Sequence, residues 1–210
     1  YLWRTRNLDE NILDRILPCG SRAGVLYGLP KVHKKGTPIR PIISAVQTYN
    51  YGLAKYLDEI LKPVINSEMI LKDTYDFVNK AAQLNFIQDK VMVSFDVESL
   101  FTCIPTLETI EIILNLTHGP EKVVNKNGRL VMNDSKFEGM LRKDLKQLLI
   151  TCTQESHFQF DEEFYDQVDG VAMGSPLGPL FANAFMSHFE NKHREELSKL
   201  GVNKWWRYVD

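Results

Sequence analysis

Ten residues, Gly170-Val-Ala-Met-Gly-Ser-Pro-Leu-Gly-Pro179, contain three glycines and two prolines and pass directly into an apolar helical pattern that runs from Leu180 to about Leu200. Prolines near a helix start are preorganised for its first turn, and glycines let a backbone approach its neighbour closely. The stretch thus marks the start of a long helix and leaves two uses for its glycines. One is an ordinary tight turn into the helix; the other is close contact with a ligand.

A second stretch, Lys90-Val-Met-Val-Ser-Phe-Asp-Val-Glu-Ser-Leu-Phe101, alternates Val91, Val93 and Phe95 with Met92, Ser94 and Asp96. Period-two alternation predicts a half-buried strand that delivers Asp96 into a polar turn. A carboxylate there has two readings: a cap for the helical pattern that follows, or a metal ligand. The final residue, Asp210, follows the strand-prone run Trp205-Trp-Arg-Tyr-Val and offers a partner carboxylate.

Net charge is −2, but the distribution is uneven. Residues 1–56 carry nine Lys/Arg against three Asp/Glu, and the rest carries 16 against 24. Between Gly20 and Tyr56 stand Arg22, Lys31, Lys34, Lys35, Arg40 and Lys55 with no acid. A basic lobe before an acidic body suits an anion at one end and cations at the other, and a solvated basic loop would give the same counts. Cys19, Cys103 and Cys152 form no CxxC pair, which points to reduced thiols rather than a disulfide framework or zinc site. No apolar run approaches the ~20 residues of a membrane span, and the opening Tyr1-Leu-Trp-Arg has neither signal nor transit pattern, so a soluble intracellular protein is expected.

Along the chain, helices are predicted over 8–17, 50–61, 73–84 with Asp73 as N-cap, and 106–116. A longer helix is predicted over 135–153, opened by Ser135 and Glu138 as a capping box. The apolar runs around Lys34-Lys-Gly-Thr-Pro38 predict a hairpin with a basic tip, and Pro30, Pro38 and Pro41 confine it to sheet edges. Another hairpin is predicted with Asp161-Glu-Glu163 at its tip, a solvated turn without a catalytic role. The stretch 117–135 shows little periodicity. His188 and His193 are five apart and do not form an i, i+4 metal pair.

Taken in order, Tyr27-Gly-Leu-Pro-Lys-Val-His-Lys34, Arg40-Pro-Ile-Ile-Ser44, Ser94-Phe-Asp-Val-Glu-Ser-Leu-Phe101, Gly170 to Pro179 and Arg207-Tyr-Val-Asp210 resemble the motifs of a reverse transcriptase, most closely those of Penelope-like retroelements. The resemblance implies an α+β right-hand polymerase with an antiparallel palm sheet backed by helices. Residues 1–72 would be mainly fingers, and 73–210 mainly palm with a fingers-like insertion near 117–160. The implied activity is RNA-directed DNA synthesis, in which a primer 3′-hydroxyl attacks a dNTP on an RNA template.

Such chemistry needs two Mg²⁺ ions about 3.5–4 Å apart, one at the attacking oxygen and one at the leaving group. Hard cations take oxygen ligands, hence converging carboxylates. By resemblance, Asp96, Asp210 and the backbone carbonyl of Val97 would bind metal, with Mn²⁺ as a substitute. Lys31, Lys34 and Arg40 would grip the triphosphate. Phe101, five residues after Asp96, would exclude a ribose 2′-hydroxyl, although core packing asks for the same ring. Gly174, Ser175 and Pro176 would offer backbone contacts to the nascent pair. Met173 stands where many reverse transcriptases carry Gln, so that side-chain contact does not transfer.

The family motif is Tyr-x-Asp-Asp and the chain reaches only its first aspartate, so the isolated 210-residue chain is expected to be inactive or nearly so. The competing expectation is a relic or domesticated domain that only binds nucleic acid through its basic hairpin. Nuclear localisation follows from the resemblance to elements that integrate into chromosomes.

Overall fold

The computed structural model describes residues 10–18, 20–65, 67–84, 90–125 and 127–209. Four helices build the core. α2 (Tyr51–Leu61) contributes Ala54, Leu57 and Leu61, and α5 (Thr106–His118) contributes Ile110, Ile113 and Leu114. α6 (Arg142–Thr153) adds Leu145 and Leu149, and α7 (Gly178–Lys199) adds Leu180, Phe181 and Ala184. The apolar positions recur every three or four residues, so each helix turns one stripe inward. α1 (Glu10–Ile16) packs on α2. α3 (Thr74–Ala82) is capped as expected, the Asp73 carboxylate accepting the Asp76 N–H at 2.8 Å.

The sheet lies to one side of this core. β1 (Gly24–Pro30) and β2 (Ile39–Ser44) form the expected hairpin, with Leu29 opposite Arg40. β7 (His157–Phe160) and β8 (Glu163–Asp166) form the other, with Asp161 and Glu162 in the left-handed backbone of its two-residue turn. The two hairpins join through a short parallel pairing of Gly24–Val25 with Phe158–Gln159, giving a mixed sheet of order β2-β1-β7-β8. β2, with Pro41, is an edge strand as expected; β1 is not, because its start, Gly24–Val25, pairs with β7 well before Pro30.

Two expectations need correction. The helix over 135–153 starts only at Arg142; residues 136–141 are instead a small hairpin, β5 (Lys136–Phe137) and β6 (Met140–Leu141). Glu138 and Gly139 at its turn both have positive φ, which ends any helix there, and the Ser135 hydroxyl donates to the His118 carbonyl rather than capping. The aperiodic stretch before it holds a further hairpin, β3 (Lys122–Val124) with β4 (Leu130–Met132).

The second correction concerns residues 91–96, which form no strand. Val91, Met92, Val93 and Phe95 are all exposed. Their neighbour is the segment 201–205, met by Lys90 Nζ donating to the Gly201 carbonyl at 3.4 Å and by Phe95 stacking on Trp205. These contacts bring the segments together without a backbone ladder, and alternation alone supplies propensity, not pairing. The overall class is α+β, with a four-stranded mixed sheet formed by other segments than those expected to carry the carboxylates.

Candidate functional site

The glycine-rich loop 170–178 is the joint of the molecule. The Val171 N–H donates to the Phe101 carbonyl at 2.8 Å, and the Ile43 N–H donates to the Met173 carbonyl at 2.9 Å. The loop is therefore hydrogen-bonded on one side to α4 (Leu100–Cys103) and on the other to β2. Gly170 has φ +72, and a Cβ there would lie 2.6 Å from the carbonyl oxygens of Phe101 and Thr102. Gly174 has φ +122, and a Cβ there would lie 2.3 Å from the Ile43 carbonyl oxygen. At both positions the close approach is to the chain's own backbone. Of the two uses left open by the sequence, the structural one accounts for these glycines.

Asp96 sits just before this joint. It is exposed, in the stretch that leads to Ser99, whose left-handed φ of +55 turns the chain into α4. No side chain caps α4, so Asp96 is not its cap, and its carboxylate has no ion-pair partner among the described residues. Val97 is half-buried against the core. Phe101 is half-buried too: its ring packs on the core and passes above Gly178, where a Cβ would meet it at 3.4 Å.

The basic hairpin reaches the same joint through Ile43. Lys31 is half-buried, Lys34 and Arg40 are exposed, and none of the three forms an ion pair among the described residues. Lys31 N–H closes the hairpin onto the Pro38 carbonyl at 2.9 Å. Ser175 and Pro176 line a cavity of about 390 Å³ with Arg22, Tyr49, Asn50, Cys152 and His157. There the Tyr49 hydroxyl donates to the Glu155 carbonyl, and burial above all, with Glu155 nearby, raises its pKa to about 12. Burial likewise pushes the Cys152 thiol up.

Asp210 lies outside the described residues, but the segment that leads to it is anchored in a way the sequence reading missed. Glu190 and Arg207 form a buried ion pair, Arg207 Nε donating to Glu190 Oε1 at 2.8 Å. The Trp205 indole N–H donates to the same oxygen at 3.1 Å. Arg207 Nη1 donates to Asn183 Oδ1 and to the Val209 carbonyl, both at 2.8 Å. A signal existed: Glu190 follows Ala182 and Met186 at four-residue steps, which puts an acid on the apolar stripe of α7.

For a divalent cation, the oxygen donors that fit in kind are the Asp96 carboxylate, without an ion-pair partner among the described residues, and the Val97 carbonyl. Among the described residues no three His, Cys, Asp or Glu side chains cluster as a metal site. Cys103 is exposed and Cys152 buried, both as free thiols, and Cys19 lies outside the described residues. No described helix is long and apolar enough to cross a membrane. Comparison of the sequence with protein-family models and with curated proteins finds no match in either.

Proposed function

We propose that this chain is the fingers-and-palm region of an RNA-directed DNA polymerase, transferring a deoxynucleotidyl group from a dNTP to a primer 3′-hydroxyl on an RNA template. One observation carries the reading. Loop 170–178 is hydrogen-bonded to both the hairpin that holds Arg40 and the helix that follows Asp96, so three sequence motifs separated by up to 130 residues meet at one joint.

In this reading Lys31, Lys34 and Arg40 hold the triphosphate, the guanidinium by its fork and the ammonium groups as point charges. Asp96, the Val97 carbonyl and Asp210 would hold Mg²⁺, which would supply charge neutralisation at the transferring phosphate. The half-buried Phe101 ring would exclude a ribose 2′-hydroxyl. The backbone of Gly174, Ser175 and Pro176 borders the nascent pair. Nuclear residence belongs to the same proposal.

The test is primer extension on poly(rA)·oligo(dT) by a polypeptide that continues the chain through a complete Tyr-x-Asp-Asp motif. Incorporation of dTTP that is lost in Asp96→Asn while template binding persists is the expected result. Binding of the template without incorporation by the unsubstituted polypeptide would support the alternative, a nucleic-acid-binding relic. Equal incorporation with and without Asp96→Asn would sink the polymerase reading.

A further inference from the structure

Resting on the polymerase reading, we propose that Glu190 and Arg207 are positioning residues that brace both acid-bearing segments from one buried point. The first arm runs to Asp210. The Arg207 guanidinium folds back on its own chain to hold the Val209 carbonyl, and that carbonyl belongs to the peptide unit joining Val209 to Asp210. Because a peptide unit is planar, holding its oxygen orients the plane in which Val209 ends. The brace is needed there: Val209 has φ +64, a backbone region that a β-branched residue rarely adopts unless its surroundings enforce it.

Arg207 can enforce it because its own backbone and side chain are both fastened. Its N–H donates to the Met69 carbonyl and its carbonyl accepts from the Leu71 N–H, both at 2.8 Å. Its side chain is only 4% exposed, and beyond Glu190 and Asn183 it reaches the Ser187 hydroxyl at 3.4 Å.

The second arm runs to Asp96. Glu190 Oε1 also fixes the Trp205 indole, and Phe95 stacks on that indole at 6.0 Å between ring centres and 22° between planes. Phe95 directly precedes Asp96. One carboxylate on α7 thus holds both the indole on which Phe95 stacks and the arginine that holds the Val209 carbonyl. It works at a distance from the reacting atoms, as outer partners of metal ligands do.

The experiment is Tb³⁺ luminescence excited through the nearby indoles, with Mg²⁺ as competitor and thermal melts as a control for folding. Unsubstituted protein should give emission that Mg²⁺ displaces and Asp96→Asn removes. Arg207→Lys keeps the buried charge paired but cannot reach Glu190, Asn183 and Val209 together; it should weaken Tb³⁺ binding about tenfold, as should Glu190→Gln. Adding Val209→Gly to Arg207→Lys should restore part of the affinity, since glycine adopts positive φ unaided. Unchanged Tb³⁺ affinity in folded Arg207→Lys would overturn the brace while leaving the polymerase reading intact. Absence of Mg²⁺-displaceable emission from the unsubstituted protein would remove the metal site itself, and the brace with it.

Discussion

The N–H of Val171 and the carbonyl of Phe101 share a 2.8 Å hydrogen bond, and Gly170 beside them leaves no room for a side chain. Gly170→Ala should therefore cost at least ~2 kcal/mol, because the new methyl meets two carbonyl oxygens at a backbone angle that already disfavours it. For a chain of this length that corresponds to a fall of roughly 4–8 °C in Tm. Gly201, at φ +90 with open space around its Cβ position, supplies the control. Gly201→Ala should lose about 1 kcal/mol by conformation alone. Thermal melts of the two variants separate crowding from strain.

Removing one partner of the Glu190–Arg207 pair leaves an uncompensated buried charge. Glu190→Ala should destabilise by about 3–5 kcal/mol. Combining it with Arg207→Met should cost clearly less than the sum of the single changes, because the second removes the charge that the first strands. Urea unfolding of the four proteins closes the cycle, and strict additivity would count against coupling through this pair.

Arg40 stands on an edge strand, exposed and without an ion-pair partner among the described residues. If its guanidinium meets phosphate, Arg40→Ala should weaken binding to single-stranded RNA uniformly across sequences. It should also reduce the slope of log affinity against log salt by about 1. Fluorescence anisotropy between low and moderate salt measures both. An unchanged slope would separate Arg40 from phosphate contact.

Glu111 accepts hydrogen bonds from Lys146 Nζ at 2.5 Å and Arg142 Nη2 at 2.7 Å. The Lys146 bond above all holds its carboxyl below the usual carboxylate range, with burial opposing and Arg142 assisting. A depressed folded-state pKa contributes stability above the unfolded value, and that contribution disappears as pH falls through the folded value. Glu111→Gln should therefore be less stable than the parent at pH 6, and the gap should be smaller at pH 3. The Glu111 side chain is 42% exposed, so the gap should stay under about 1 kcal/mol. Urea midpoints at the two pH values give the answer.

Thiol chemistry should be selective. Cys103 is exposed, whereas Cys152 is buried with its pKa pushed upward by desolvation. The thiolate is the nucleophile, so iodoacetamide at mildly alkaline pH should label Cys103 long before Cys152. Peptide mapping over time reads the order directly, and simultaneous labelling would contradict the packing around Cys152.

Elements whose cause is local were legible in the sequence. Asp73 caps α3, the apolar stripes of α2, α5 and α7 repeat at helical spacing, and both larger hairpins carry their turn residues at the tip. Elements decided by partners were not. Ser135 and Glu138 spell a capping box, yet Gly139 at φ +76 makes a hairpin turn, and only the His118 carbonyl shows where the Ser135 hydroxyl goes. Residues 91–96 have the alternation of a strand but no ladder beside them. The site shows the same division. Asp96 stood out by its place after an alternating run, and Arg40 and Phe101 through the resemblance, whereas the anchoring role of Glu190 depends on Trp205 and Arg207 arriving from 15 and 17 residues further on.

Loop 170–178 stores its geometry in the main chain. Its two outward fastenings are N–H to carbonyl bonds, and its steric limits fall on glycines, so the side chains of Met173 and Ser175 are not needed to hold β2 and α4 together. A mutational scan of these residues should therefore split cleanly. Positions 170 and 174 would govern whether the protein is recovered at all, whereas 173 and 175 could be changed freely to retune whatever the joint faces. Separating shape from chemistry in this way gives a short segment room to acquire new contacts without refolding.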